Sequence, residues 1–206
     1  MKKNYEMDMC SGPILGKLLT FTIPLIFSGI LQLLFNAADV IVVGRFAGSQ
    51  SLAAVGSTTA LINLMINIFI GLSVGVNVIV ARYYGAKREK DVQDTIHTAM
   101  ALSIVSGLFL IILGQLLSRP MLELMGTPDD VIDKSTIYMR IIFIGMPANM
   151  IYNFGSAILR AVGDTKRPLY FLTAAGVINV VLNLFFVIMF RMDVAGVSLA
   201  TAISQA

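Results

Sequence analysis

The chain has 206 residues, of which 57% are hydrophobic and only 13% are Asp, Glu, Lys or Arg. That charged share is about half of what a soluble domain carries, and the mean hydropathy of +0.83 points to lipid as the solvent. A net charge of +3 without basic–aromatic clustering argues against a nucleic-acid partner, and the single Cys10 and single His97 exclude a disulfide framework or a Cys- or His-based metal cluster.

Residues 1–17 read as a short polar cytosolic tail. The first predicted helix covers residues 18–43 and contains Pro24. Gly44-Arg45-Phe46-Ala47-Gly48-Ser49 separates it from the second, over residues 52–81. The basic connection Tyr84–Asp91 leads to the third, residues 95–118, which Arg119-Pro120 is expected to end. Thr127-Pro128-Asp129-Asp130 is a helix start, with Thr127 as cap and Pro128 in the first position, for a fourth helix over residues 131–159. Gly163–Pro168 leads to a fifth helix over residues 168–190. After the turn Asp193-Val194-Ala195-Gly196, residues 194–206 start a sixth helix too short to cross a bilayer, so the chain reads as cut within a larger protein. The apolar runs are too long, and lack the alternation, for strands of a closed barrel.

Basic residues alternate between connections. Lys2, Lys3, Lys17, Arg82, Lys87, Arg88, Lys90, Arg160, Lys166 and Arg167 fall on one side, and Arg45, Arg119, Lys134, Arg140 and Arg191 on the other. The ten-to-five bias predicts a multi-pass protein of the plasma membrane with a cytoplasmic N-terminus.

Within the apolar spans, the fourth being the apolar stretch over residues 141–159, Asp39 is the only Asp, Glu, Lys or Arg. A charge there costs about 2.5–3.5 kcal/mol on insertion scales, which makes it a functional candidate. Gln32, Asn36 and Asp39 are spaced four and three apart and share one helix face. Pro24 lies two turns earlier and is a candidate hinge. Asn63 and Asn67 share a face of the second helix; Asn149, Asn153, Ser156 and Arg160 follow one face of the fourth; Asn179 and Asn183 are four apart on the fifth. These amides line a shared interior or tie helices together, and the third helix, with only small polar groups, is expected away from that interior. No Gly-rich phosphate loop, catalytic carboxylate pair or Ser/His/Asp set is visible, so no catalytic residue and no enzymatic activity is expected. A channel would show a repeated filter or charged ring, and none stands out.

Read in order, Pro24, Gln32 and Asp39, Val43-Gly44-Arg45, Leu52-Ala53-Ala54-Val55-Gly56, Ala81-Arg82-Tyr83-Tyr84-Gly85-Ala86, Pro147, Arg160–Pro168 and Ala200-Thr201-Ala202-Ile203-Ser204-Gln205 resemble the MATE family, the multidrug and toxic compound extrusion transporters. The resemblance spans nearly the whole chain. It implies an all-α membrane protein, the N-terminal lobe of a twelve-helix transporter whose C-terminal lobe is missing here. It further implies antiport of amphipathic or cationic small compounds against protons or sodium ions, in the lipid bilayer and without a cofactor. By the same resemblance, Asp39, Tyr138, Asn153, Asn179 and Asn183 form the cation-coupling site, with sodium at Asp39 as an alternative to a proton. Gln32, Asn36, Asn63, Asn67 and Asn149 then line the substrate cavity. Asn183 departs from the pattern, being an amide where many relatives have a carboxylate, which leaves Asp39 as the principal titrating group. A lipid-linked sugar flippase of the same superfamily would place Arg or Lys in the cavity, and the spans contain none. A non-transporting scaffold or half-transporter is the third alternative.

Overall fold

The computed structural model describes residues 14–205. Most of the expected tail, including Lys2, Lys3 and Cys10, lies outside them, as does Ala206. The described chain is a helical bundle: α1 (Ile14–Val42), α2 (Ser49–Gly85), α3 (Glu89–Leu124), α4 (Asp129–Ile144), α5 (Met146–Ala161), α6 (Lys166–Leu184) and α7 (Val194–Ser204). α1 and α6 each end in a π-helical turn, Val43–Ala47 and Phe185–Met189, and the two turns touch. Four helices are long and apolar enough to cross a membrane, and the α4–α5 pair, bent by 49°, is so only when its two arms are taken together.

The helices run beyond the apolar windows that reveal them. α3 starts at Glu89 rather than residue 95, because its first turns are charged and leave no hydropathy signal. It also continues through Pro120 to Leu124 instead of stopping there. One lost backbone hydrogen bond near a helix end is tolerated where the rest of the helix is packed. The cap of α4 falls one residue later than expected: Pro128 itself is the cap, with extended backbone (φ −60°, ψ 144°), and its carbonyl accepts from Val131 and Ile132 at 3.0 Å. At the turn into α2, Gly48 has φ +86°, a conformation that an L side chain would strain.

The largest departure is the break at Gly145. A single predicted helix over residues 131–159 is in fact two, because Pro147 sits in the first turn of α5. Without an N–H, Pro147 cannot bond back to Phe143, and its ring crowds that carbonyl. The bend is held from outside. A side chain on Gly107 of α3 would strike Pro147, and one on Gly114 would strike the Phe143 ring. These two glycines let α3 close onto both arms.

Most of the apolar core lies among α2, α3, α4 and α5, around Leu110, Met139, Phe143, Met146, Met150 and Phe154, each 2% exposed or less. Asn77 Nδ2 donates to the Ala157 carbonyl at 2.6 Å, Gln115 Nε2 to the Arg140 carbonyl at 3.0 Å, and the Ser57 and Ser135 hydroxyls meet at 3.1 Å. These bonds tie α2 to α5, α3 to α4 and α2 to α4. A second cluster of small residues, Val42, Val43, Ala54, Val55, Val131, Val187, Val194 and Val197, joins the ends of α1 and α6 to α2, α4 and α7. Outside this cluster α1 is sparsely covered: only Pro24 is buried along the rest of it. The ion pairs Arg119–Asp133 (3.0 Å) and Lys134–Asp193 (3.1 Å) bring the α3–α4 connection beside the α6–α7 connection, as the alternation of basic residues requires.

Candidate functional site

α1 and α6 meet along a short polar seam. Gly176 has no side chain, and the Phe35 ring occupies the space a Cβ would need. One turn further along α1 and two turns further along α6, Asn183 Nδ2 donates to Asp39 Oδ1. The spacing is what makes this work: Phe35 and Asp39 are four apart on α1, and Gly176, Asn179 and Asn183 follow one face of α6. Asn183 Nδ2 also donates to Asn179 Oδ1 at 3.1 Å, and Asn179 Nδ2 donates to Thr201 Oγ1 on α7 at 3.2 Å. Thr201 Oγ1 in turn donates to the Val197 carbonyl at 2.9 Å. Asn183 is therefore a shared donor: one bond reaches the carboxylate of α1, and the other begins a relay through Asn179 and Thr201 into α7. Asn179 and Asn183 are buried, and Asn183 Oδ1 is a buried oxygen with no partner in the structure. Such a group is costly to leave unsatisfied in a low-dielectric interior.

Three adjoining cavities open around this seam. One, of about 100 Å³, is lined by Gln32, Phe35, Asn36, Asp39, Asn179 and Thr201 among others. A second, of about 220 Å³, is lined by Asn36, Asp39, Asn63, Tyr138, Asn149 and Gln205 with apolar neighbours. A third, of about 260 Å³, is bounded by Gln32, Asn149, Tyr152, Asn153, Phe171 and Gln205. Among the described residues no Lys or Arg lines any of the three, and α3 contributes to none of them. α3 is away from the polar interior as expected, yet it packs closely on α5.

The predicted residues divide accordingly. Asp39, Asn179 and Asn183 form one hydrogen-bonded cluster, and Tyr138 faces Asp39 across the second cavity while packing on both apolar clusters. Asn153 stands apart from that cluster. Its Nδ2 donates to the Asn149 carbonyl (2.9 Å) and to Asn149 Oδ1 (2.8 Å), and it faces the third cavity. Gln32, Asn36, Asn63 and Asn149 all line cavities. Asn67 lines none of the three: it folds its amide back onto the Asn63 carbonyl one turn earlier, at 2.7 Å. α1 is continuous across Pro24, whose carbonyl accepts from Ser28 Oγ at 2.9 Å. Thr201, Ser204 and Gln205 of α7, with Tyr152 and Thr59, are site residues that sequence reasoning missed. A segment read only as a broken-off helix gave no reason to examine its polar face, although Thr201 and Gln205 sit four apart on it.

A bundle with four helices long and apolar enough to cross a membrane, and a carboxylate on one of them facing polar cavities, defines an all-helical membrane protein. The chain belongs to the MatE family, whose model matches residues 24–185. It is 34% identical to "Probable multidrug resistance protein YoeA" of Bacillus subtilis (strain 168) over 188 residues, 89% of this chain and 41% of that protein. To "Probable multidrug resistance protein YpnP" of the same organism it is 31% identical, over 96% of this chain and 44% of that protein. Among solved structures, a MOP superfamily transporter from Pyrococcus furiosus superposes with a TM-score of 0.86 at 27% identity, covering 92% of this chain and 42% of that one. The chain thus spans about two fifths of the length of the relatives it matches.

Proposed function

We propose that the protein to which this chain belongs is a secondary active antiporter that exports amphipathic or cationic small compounds across the plasma membrane in exchange for protons or sodium ions. The observation that carries this reading is Asp39, an ionisable group within a membrane span, held by Asn183 and facing two cavities. A carboxylate in that setting is expensive unless it is neutralised. A proton, a sodium ion or a cationic compound can each neutralise it, and competition among them is the basis of exchange. The residues fit either coupling ion. Asp39, Asn179 Oδ1 and Thr201 Oγ1 are oxygens of the kind hard cations take, and the unpartnered Asn183 Oδ1 would accept from a protonated Asp39 or bind a metal ion. In this reading Tyr138 closes the site on the α4 side and Asn153 belongs to the substrate wall. Pro24 is the point at which α1 yields when Asp39 loads. The N-terminus and the connections rich in Lys and Arg face the cytoplasm.

The flippase alternative would bring an anionic pyrophosphate lipid into these cavities, and their walls offer no cation to receive it. Reconstitution of the full-length protein in proteoliposomes tests the antiport reading. Efflux of a fluorescent organic cation, driven by an imposed pH or sodium gradient, is expected in the wild type and lost in Asp39→Asn. Gradient-driven efflux that survives Asp39→Asn contradicts it.

A further inference from the structure

Gln205 lines all three cavities. Its Oε1 accepts from Asn149 Nδ2 at 3.1 Å, and that bond links α7 to α5 between the second and third cavities. Asn149 is fixed from behind, since Asn153 donates to both its side-chain and main-chain oxygens. The two cavities on either side, about 220 and 260 Å³, are each below the roughly 300 Å³ at which pockets for drug-sized ligands begin; joined, they enter that range. Their ends differ in chemistry. The second holds the Asp39 carboxylate and the Tyr138 hydroxyl, and the third holds Phe171 and Tyr152.

We propose that the Asn149–Gln205 bond is a removable partition that selects elongated compounds carrying a cationic head, a hydrogen-bonding centre and an aromatic tail, the centre replacing the bond it breaks. This rests on the antiport reading and names the shape of its substrate. The chemistry of the partition is that of two amides. Opening it frees Asn149 Nδ2 to donate and Gln205 Oε1 to accept, which matches one amide placed mid-ligand. An apolar centre would leave these groups unpaired, and a buried unpaired polar group is penalised more heavily than a missing attraction. The partition therefore rejects a hydrocarbon of equal length.

The test uses the full-length protein in detergent and two matched probes: an N-(ω-aminoalkyl)benzamide and the phenylalkylammonium of equal length. Wild type is expected to bind the benzamide about tenfold more tightly, the equivalent of about 1.4 kcal/mol. In Gln205→Leu the preference is expected to fall to within about twofold. Equal affinity for the two probes in wild type, or failure of both to bind, overturns the inference without any variant having to fold. Preference that persists undiminished in Gln205→Leu overturns it as well. Competition of each probe with protons, in wild type and in Asp39→Asn, separates the two levels. If competition depends on Asp39 but the amide preference is absent, the partition fails and the antiport reading stands; if competition ignores Asp39, the antiport reading fails.

Discussion

The two sides of this bundle are held together differently. α2, α3, α4 and α5 pack through large buried side chains, with glycines at 107 and 114 admitting Pro147 and Phe143. α1 meets α6 through a polar seam, a ring lying on a glycine and a cluster of valines at its far end. Close-packed interiors resist deformation, whereas a helix with two buried residues has little to lose by moving. Asp39 sits on the loosely held helix, and the hydrogen bonds that would sense its charge lead to α6 and α7. In the proposed reading the firm side is a scaffold and the loose side carries the chemistry.

Substitutions can break or sharpen that contrast. The largest effect is expected in the scaffold. Phe154→Ala, at a fully buried position, should lower stability by about 3–5 kcal/mol, read as a large drop in the thermal unfolding midpoint in detergent. Gly176→Val should cost about 1–3 kcal/mol by forcing the Phe35 ring off α6. Its signature is loss of transport with most of the melting temperature retained, because the seam fails while the core stays packed. Asn183→Leu should cost about 1–3 kcal/mol, since it removes the donor shared by Asp39 and Asn179; cation dependence of transport is the readout, and it should weaken. Lys134→Ala deletes a partly exposed ion pair with Asp193 and should change stability by no more than about 1 kcal/mol. A large destabilisation there would place the rigidity in the connections instead of the core.

Much of this was legible in the sequence, for identifiable reasons. A lone Asp in an apolar run is conspicuous because charge is costly in lipid, and the spacing of four between Asn179 and Asn183 fixes a shared face whatever the tertiary packing. The number of candidate spans followed from apolar length, although one predicted helix proved to be two. What escaped depended on three-dimensional context. Pro120 and Pro147 are the same residue type, yet the chain runs straight through the first and breaks beside the second. α3 seats Gly107 against Pro147, and no local rule reports that. The π-helical turns after Asp39 and Asn183 widen α1 and α6 without altering hydropathy. Asn67 follows Asn63 at helical spacing but satisfies itself on its own helix, so spacing alone overstated its role. Gln205, in contrast, matters because three cavities converge on it, a property of no single helix.

The claim that charge at Asp39 controls the attachment of α1 can be tested by hydrogen exchange on the full-length protein in nanodiscs, at acidic and alkaline pH and with or without sodium. The account predicts that loading changes amide protection in α1 and along its contact with α6, leaves α3 and α5 unchanged, and does neither in Asp39→Asn. Protection in α1 that is indifferent to pH and sodium, or a response that persists in Asp39→Asn, would contradict it.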